Sequence, residues 1–382
     1  MLSSQRSLFD MPRDVAYFNA AGWSPLPIAT QEAGRAAVGR KGTPWKLDRQ
    51  FGNQQNERAR LAASRLIGAN SDDVALISSI GYGVAAAAKF LDVPRGSRVL
   101  LLQDDHSSPV LEWQTRAEAQ GFTIETIATP TDGDWTTAVL SAIDRPGAAP
   151  VGVASISWIH WSDGGVIDLV KVAAALRGQG AKFLIDATHG VGIMAIDVKS
   201  LDPDVVLFPT YKWTLGPYGR AFMYVAKRCQ GGVPLEQTAF GRRGVNAEAN
   251  VYLADTRYVD NARRYDMGER DHFISMEMAS IGMELVGAWG STALVERLSM
   301  LTGRIADGVR GLGLDVPLTK NRAPHILSLG FKGGVSDKLI MALEADQIYV
   351  APRLGRMRIA PHAYNDEADA DRLVAALKRH VG

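Results

Sequence analysis

The sequence predicts an α/β protein with a large, doubly wound domain around a mostly parallel sheet and a smaller C-terminal α+β domain. From about residue 55, short β-branched segments alternate with helical patterns of about 10–15 residues, which is typical of βαβ units. Several of the strand segments are apolar throughout, as expected where helices cover both faces of a sheet. The alternation changes near residue 255, where longer helical patterns and short strands indicate a second domain.

The large domain is predicted to alternate between helices and strands along most of its length. The helices are predicted at 57–69, 81–91, 111–121 and 168–180. The strands are predicted at 73–78, 97–103, 122–128, 150–159, 181–187, 202–209 and 221–226. In an open sheet of this kind, ligands bind beyond the carboxyl ends of the strands. Polar residues at those ends are therefore candidates for a functional site.

The C-terminal part has a different pattern. Helices are predicted at 272–290, 292–313 and 367–380, and short strands at 325–331, 347–353 and 357–361. Asp366 is suited to cap the last helix, because a carboxylate accepts hydrogen bonds from the free N–H groups of a first turn. The predicted division is an N-terminal arm at 1–25 that packs on the small domain, a large domain at 26–255 and a small C-terminal domain at 256–382.

The composition argues against several classes of partner. The chain has 382 residues, of which 46% are hydrophobic and 22% are charged, and its formal net charge is +1. This balance is ordinary for a globular protein and gives no support for a nucleic-acid surface or a polybasic membrane anchor. No apolar run approaches the ~20 residues of a membrane-spanning helix, and the N-terminus lacks the apolar core of a signal peptide. We expect a cytoplasmic protein that binds neither nucleic acid nor membranes.

Polar residues follow four of the predicted strands, at 78–81, 105–107, 186–189 and 210–212. Together they supply a small-residue turn into a helix, an imidazole, a carboxylate and a lysine. Pyridoxal phosphate requires a lysine for its Schiff base and a carboxylate for its pyridinium nitrogen, and its phosphate suits a helix N-terminus. The set therefore predicts a pyridoxal phosphate site. Asp186 would keep the ring nitrogen protonated, and Lys212 would be the Schiff-base partner and, once displaced by substrate, the general base.

The chain resembles the class V aminotransferase family of fold-type-I pyridoxal-phosphate enzymes, which includes cysteine desulfurases, selenocysteine lyases, isopenicillin-N epimerase-like proteins and kynureninase relatives. The similarity runs from 17–21 to Ile359. In the family, a strand-end aspartate precedes a lysine-containing turn that continues into Gly-Pro-x-Gly. Here Asp186 precedes Lys212 by 26 residues, and Gly-Pro-Tyr-Gly occupies 216–219. The resemblance implies a fold-type-I architecture and a homodimer.

The resemblance also implies roles for single residues around the cofactor. His106 matches the ring-stacking histidine and, with Lys212, is the second catalytic candidate. His189 stands where many members have a glutamine near the phenolic oxygen, and Trp161 stands near an asparagine beside the cofactor. The predicted phosphate contacts come from two turns, formed by Ser79, Ile80 and Gly81 and by Thr210 and Tyr211.

Two residues are implied to bind the substrate. Arg358 matches the arginine that holds a substrate carboxylate, for which a bidentate guanidinium is well suited. Asn19 lies in the N-terminal segment that shares the resemblance. Arg353 and Arg356 are alternatives to Arg358. A structural role stays open for His106, as a helix cap or core residue, for His189, as a core residue, and for Trp161, as a packing residue.

Two departures from the family pattern bear on the function. Gly268 is usually followed by a threonine that contacts the phosphate, often of a neighbouring subunit. Here Glu269 follows it, and its carboxylate would repel a phosphate. Either Arg270 or another arginine compensates for this repulsion, or the phosphate contact is absent.

Cys229 is the one cysteine of the chain, which excludes an intramolecular disulfide and a multi-cysteine metal site. It lies far upstream of the mobile-loop cysteine of desulfurases, so we do not expect a desulfurase that uses its own thiol, and we expect no metal.

These observations predict a pyridoxal-phosphate enzyme that acts on an amino-acid-like small molecule. Transamination is the first hypothesis, and β-elimination, such as carbon–sulfur bond cleavage, or epimerisation at Cα stays open. A non-catalytic binding module on the same fold is the alternative from another class, although it would not need to keep both Asp186 and Lys212. A nucleotide-binding turn at 78–83 is disfavoured because it lacks the third glycine of a dinucleotide fingerprint and the lysine of a P-loop.

Overall fold

A computed structural model describes residues 2–48 and 50–381 of the chain. Its helices are α1 (Ile28–Lys41), α2 (Phe51–Leu66), α3 (Ile80–Phe90), α4 (Ser107–Gln120), α5 (Trp135–Ile143), α6 (Leu169–Gly178), α7 (Val198–Leu201), α8 (Ser275–Trp289), α9 (Ser291–Gly308), α10 (Asp337–Ala345) and α11 (Glu367–Val381). Its strands are β1 (Ala16–Tyr17), β2 (Val74–Ile77), β3 (Arg98–Leu102), β4 (Thr123–Ile127), β5 (Val151–Ser157), β6 (Lys182–Asp186), β7 (Val205–Pro209), β8 (Ala221–Val225), β9 (Arg242–Val245), β10 (Leu253–Tyr258), β11 (Leu327–Gly330), β12 (Ile348–Tyr349), β13 (Ala351–Arg353) and β14 (Arg356–Ile359).

The central sheet has seven strands in the order β2-β8-β7-β6-β5-β3-β4. The five strands from β7 to β4 are parallel, whereas β8 runs antiparallel to both β7 and β2. Every residue of β2, β3, β5, β7 and β8 is buried, which explains why these segments are so apolar. The predicted α/β fold with a mostly parallel sheet is confirmed.

The strand order places a switch point beside β3. The chain leaves β3 for β4 on one side and then returns to β5 on the other side, from which β6 and β7 follow outward. Ligands in such sheets bind at the carboxyl edge near this reversal. The segments that follow β2, β3, β6 and β7 all begin at that edge, since β2 and β7 are both antiparallel to β8, and this brings together the four predicted strand-end groups.

The N-terminal segment and the C-terminal strands are joined through the backbone. β1 pairs in parallel with β12, and Asn19 forms a bridge with Ala360. β11, β14 and β13 form a separate antiparallel sheet. The arm at 1–25 that packs on the small domain stays a prediction. The boundary at 255 stays a prediction, and α8 beyond it packs on α1 and α2.

The structure contains elements that the pattern did not predict. These are the helices α1, α5, α7 and α10, the strand β1 and the β9–β10 hairpin. α1 buries only Thr30, Gly34 and Ala37, so its sequence has almost no hydrophobic periodicity from which a helix could be predicted. The single strand predicted at 347–353 is divided into β12 and β13, which pair with different partners. Asp366 caps α11 as predicted, since its Oδ1 accepts from the Asp369 N–H at 3.0 Å.

A search of residues 2–48 and 50–381 finds no single helix that is long and apolar enough to cross a membrane. α8 and α9 meet the length and composition criteria only when taken together, across a bend of 81°. Within the same residues, no group of three or more His, Cys, Asp or Glu side chains is arranged to hold a metal ion.

Candidate active site

A pocket of about 110 Å³ lies at the carboxyl edge of the sheet, where the four strand-end segments meet. It is lined by eight of the predicted site residues: Ser79, Ile80, His106, Trp161, Asp186, His189, Tyr211 and Lys212. A larger groove of about 540 Å³ near α5 and α6 contains none of the predicted site residues. The smaller pocket is therefore the candidate active site.

Lys212 lies on the turn that joins β7 to β8, and its side chain is inside the protein. The residue is 7% exposed, and its amine lies 5.4 Å from the centre of the Tyr211 ring. Burial lowers the pKa of Lys212 to about 7; the positive charges of Arg358 and Arg353 contribute, and Asp186 opposes the shift. A lysine with a near-neutral pKa carries a substantial fraction of free amine at pH 7, which is the form that acts as nucleophile or base.

His189 lies beside Lys212. Its Nε2 is 3.2 Å from the Lys212 Nζ, and its Nδ1 lies 3.2 Å from the indole Nε1 of Trp213. Burial, together with the charge of Lys212, keeps the pKa of His189 well below its usual value, so the ring is neutral. The sequence placed His189 near the cofactor but gave no role to Trp213, whose position directly after Lys212 was the available signal.

Asp186 ends β6 and is 4% exposed. Its Oδ1 accepts a hydrogen bond from the Thr188 N–H at 2.9 Å. The Thr188 hydroxyl oxygen is buried without a hydrogen-bond partner among the described residues, although Thr188 lines the pocket. A buried carboxylate and an unpartnered hydroxyl at one wall are consistent with a polar ligand in this space.

His106 has a structural contact and also lines the pocket. It is the N-cap of α4, where its Nδ1 accepts from the Ser108 N–H at 3.4 Å, so the capping role left open by the sequence is present. The Asp105 carboxylate orders this turn by accepting from the His106 N–H at 2.7 Å and from the Ser157 hydroxyl at 2.7 Å. Trp161 meets the His106 ring edge-on at 6.2 Å. Burial and the charge of Lys212 lower the pKa of His106.

The start of α3 also forms part of the pocket wall. Ser79 is its N-cap and accepts from the Tyr82 N–H at 3.1 Å. Ile80 lines the pocket, whereas Gly81 does not. Thr210 also lies outside the lining, and its hydroxyl donates to the Pro217 carbonyl at 2.5 Å, which closes the Lys212 turn. The phosphate contacts assigned to Gly81 and Thr210 stay predictions.

Arg220 is a pocket residue that sequence reasoning missed. It is 8% exposed, lines the pocket and donates through Nε to the Ser275 hydroxyl at 2.6 Å. Within the described residues it forms no ion pair, and burial lowers its pKa. Arg270 is bonded to the Asp266 carboxylate, and Glu269 is exposed. Of the arginines considered for the phosphate, Arg220 is the one without a carboxylate partner.

Arg358 adjoins the pocket without lining it. Its Nη1 donates to the Trp161 carbonyl at 2.6 Å and its Nη2 to the Asn19 Oδ1 at 3.4 Å, and its buried Nε has no partner among the described residues. Burial and the charge of Arg353 lower the pKa of Arg358 to about 9. Arg356, by contrast, donates to the Asp315 carboxylate at 2.7 Å. These contacts favour Arg358 over Arg356 as the anion-binding arginine.

Cys229 lies away from the site for a topological reason. It follows β8, and because β8 is antiparallel to β7, its carboxyl end is at the sheet edge opposite to the pocket. The thiol donates to the Asp204 Oδ1 at 3.3 Å, and burial raises its pKa to about 12. A buried, protonated thiol at this edge does not reach the pocket.

Comparison with known proteins places the chain in a family. The family profile described as Aminotransferase class-V matches residues 34–364. The "Uncharacterized aminotransferase YcbU" of Bacillus subtilis (strain 168) is 25% identical over 342 residues, which cover 86% of this chain and 84% of the relative. "Cysteine desulfurase IscS" of Pectobacterium atrosepticum is 26% identical over 315 residues, covering 79% of this chain and 70% of the relative.

Solved structures share the fold at low sequence identity. A lysine-to-alanine mutant of C-DES with glycine covalently linked to its pyridoxal phosphate superposes with a TM-score of 0.86 at 19% identity, covering 100% of both chains. An apo cysteine desulfurase from Thermococcus onnurineus NA1 has a TM-score of 0.85 at 18% identity, covering 100% of this chain and 99% of that one. With the family profile matching most of its length, the chain belongs to the class V aminotransferases, a family of pyridoxal-phosphate-dependent enzymes.

Proposed function

We propose that this enzyme acts on an α-amino acid by moving the proton of the substrate Cα, and that transamination is its reaction. The observation that carries the proposal is Lys212, a buried lysine with a pKa of about 7 in the same pocket as the Asp186 carboxylate. A general base works best when its pKa is near the working pH. Lys212 meets that condition.

The residues of the pocket fit pyridoxal phosphate. Lys212 would attach it, Asp186 would face its ring nitrogen and the His106 ring would cover one face. Arg220 and the α3 N-terminus at Ser79 would hold the phosphate, since free N–H groups and a guanidinium both favour an anion. When bound, the cofactor takes up the electrons left at the substrate Cα after proton removal.

Arg358 and Asn19 would hold the substrate carboxylate. A buried guanidinium with an unpartnered Nε is costly unless an anion comes to it. Arg358 also donates to the Trp161 carbonyl, so the same side chain ties the pocket wall to the small-domain strand β14. The substrate would thereby be oriented with its Cα toward the Lys212 amine, which accepts the proton and returns it.

Carbon–sulfur β-elimination is the second candidate. It is favoured by the relative named "Cysteine desulfurase IscS" and by the fold shared with C-DES, one structure of which is described as the complex of a cystine C-S lyase with cysteine persulfide. The position of Cys229 at the opposite sheet edge argues against sulfur transfer to a thiol of this chain. The sulfur product would then leave the pocket as a free molecule.

Product analysis distinguishes the two reactions. The purified enzyme loaded with pyridoxal phosphate is incubated with a panel of amino acids, with and without a 2-oxo acid acceptor. Transamination predicts a new 2-oxo acid and consumption of the acceptor in equal amounts. Release of sulfide or persulfide together with pyruvate and ammonia, independent of the acceptor, would contradict transamination and support the lyase reaction. Absence of both products over the whole panel, with cofactor bound, would leave epimerisation at Cα or the binding module.

A homodimer and a cytoplasmic location belong to the proposal as well. Family members often receive a phosphate contact from a neighbouring subunit, and here Glu269 stands where that threonine is usual. Arg220 would compensate from within the same chain. Analytical ultracentrifugation of the loaded enzyme tests the dimer, and a monomer with full cofactor affinity would contradict it.

Arg220 should decide the affinity for the phosphate group. We expect Arg220→Gln to weaken pyridoxal phosphate binding by about tenfold to a hundredfold, because a charge-assisted contact contributes roughly 1.5–3 kcal/mol. Binding of pyridoxal, which lacks the phosphate, should be unchanged. Both affinities are measured by fluorescence titration, with the exposed Arg257→Gln as the control. An equal loss for both ligands would indicate a structural role instead.

The lowered pKa of Lys212 predicts how cofactor attachment depends on pH. Only the neutral amine attacks the cofactor aldehyde, and this group becomes neutral above a pKa of about 7 instead of the ordinary 10.5. The attachment rate should therefore fall by about tenfold per pH unit below the midpoint and level off above it. Stopped-flow absorbance in the visible range measures the rate. A rate that still rises steeply to pH ~10 would show an ordinary lysine.

A further inference from the structure

Behind Lys212 lies a buried group of four rings, formed by His189, Trp213, His325 and His362. Trp213 donates from its indole Nε1 to the His189 Nδ1 at 3.2 Å, and the His189 Nε2 lies 3.2 Å from the Lys212 Nζ. The proposed function uses Lys212 but gives no task to His189 or Trp213. The chemistry of an indole gives Trp213 one.

The indole N–H is a donor only, so the nitrogen that it meets must have a free lone pair. His189 is neutral and carries one ring hydrogen, which must then lie on Nε2 and point at Lys212. An N–H facing an amine requires a lone pair on that amine, whereas an ammonium group would present a second donor at 3.2 Å. The opposite tautomer of His189 would instead place two N–H donors against each other at the Trp213 contact.

We propose that Trp213 is a positioning residue that fixes the hydrogen of His189 on Nε2 and so favours the neutral amine of Lys212. This inference deepens the proposed function. It rests on the proposed function only for the role of Lys212. In the chain without cofactor, the lone pair of the Lys212 amine accepts a hydrogen bond from the Nε2–H of His189. When the lysine is engaged, the same N–H is available to an oxygen anion in the pocket.

The small domain holds Trp213 and His189 in this arrangement. The His362 Nδ1 accepts from the Ala363 N–H at 2.7 Å, so its hydrogen is on Nε2 and is donated to the Trp213 carbonyl at 3.1 Å. The same ring stacks on the Trp213 ring at 5.7 Å. His325 meets Trp213 edge-on at 4.3 Å, and its Nε2 is 2.6 Å from the His189 carbonyl oxygen. Burial lowers the pKa of His325 to about 3 and that of His362 to about 4, so both donate as neutral rings.

Other charges also act on Lys212 and are not altered by Trp213. Arg358 of β14 and Arg353 of β13 disfavour its protonation, and Asp186 of β6 favours it. His106 at the N-cap of α4 also interacts with it and titrates below its usual pKa. None of these groups bonds to the indole, so the hydrogen-bonded route from the indole to the Lys212 amine runs through His189.

Nitrogen-15 NMR of the full chain, labelled at histidine and without cofactor, reports the tautomer directly. The chain has seven histidines, so comparison with a His189→Gln sample assigns the signal. We expect a hydrogen on Nε2 and an unprotonated Nδ1 in the wild type. A hydrogen on Nδ1 would overturn the proposal whether or not any variant folds.

A double-mutant comparison then tests the consequence for Lys212. In Trp213→Phe, His189 is free to turn its Nε2 lone pair toward an ammonium group, which stabilises the charged lysine. The pH midpoint of pyridoxal phosphate attachment should therefore rise by about one unit. In a His189→Leu background the same substitution should cause no further shift. Trp45→Phe, at an exposed position, is the matched control.

The outcomes separate this proposal from the proposed function. The role of Trp213 is overturned if Trp213→Phe shifts the pH midpoint equally in the wild-type and His189→Leu backgrounds. It is also overturned if the substitution shifts the midpoint in neither background while the wild type attaches the cofactor. Failure of the wild type to attach pyridoxal phosphate overturns the function instead, and the NMR result on the free chain still decides the tautomer.

Discussion

Lys212→Ala is expected to lower turnover by at least about a thousandfold and to abolish the visible absorption that accompanies covalent attachment of pyridoxal phosphate. The substitution removes the proposed attachment point and also the proposed base for the Cα proton, and a positioned general base alone contributes about 10²–10⁴-fold. Turnover is measured on the best substrate of the amino-acid panel, and the absorption spectrum is recorded on the same samples.

The control is Lys171→Ala, which removes a surface lysine paired with Asp168 and should leave both readouts unchanged. A free alkylamine added to Lys212→Ala should restore part of the turnover without restoring the attachment, because it replaces only the base. Wild-type turnover in Lys212→Ala would exclude this lysine from the chemistry and would reopen the binding-module hypothesis.

Arg358→Gln is expected to lower kcat/KM by about thirtyfold or more, because truncating one partner of a buried charge pair costs roughly 2–5 kcal/mol. The decrease in kcat/KM should occur with amino acids that have a free carboxylate and not with the corresponding carboxamides. Discrimination between the two substrate forms should therefore disappear in the variant. Steady-state kinetics on a matched acid and amide pair measures both effects.

Arg356→Gln is the control, since Arg356 is paired with Asp315 and does not reach the pocket. Thermal unfolding adds an independent readout. Arg358 is buried without a carboxylate partner, so its replacement should leave the melting temperature unchanged or raise it. A variant that is strongly destabilised and loses activity toward acid and amide alike would show that Arg358 mainly supports Trp161 and Asn19.

Most of the large domain could be predicted because its strands are short apolar segments between helices of ordinary length. The Asp186 and Lys212 pair was visible because both residues end or follow such strands at the spacing that the class V family uses. α1 was missed because small residues face the core, so its sequence has no apolar stripe. The split between β12 and β13 was missed because each half pairs with a different part of the chain.

The site residues that sequence reasoning missed are defined by what surrounds them. Arg220 is one of many arginines in the sequence, and it becomes a candidate only because folding buries it in the pocket without a carboxylate. Trp213 looks like a core residue until its N–H is seen on the Nδ1 of His189. Neither property has a local sequence pattern, since the partners come from distant elements.

The sequence by itself determined the α/β fold, the edge of the sheet where the candidate site lies and the lysine and aspartate that are proposed to carry its chemistry. These follow from local hydrophobic periodicity and from the rule that parallel strands present their carboxyl ends together. The tertiary structure decided which charges are left without partners and which protonation states the pocket imposes. Those depend on burial and on contacts between residues far apart in the chain, and desolvation acts only once the fold has removed the groups from water.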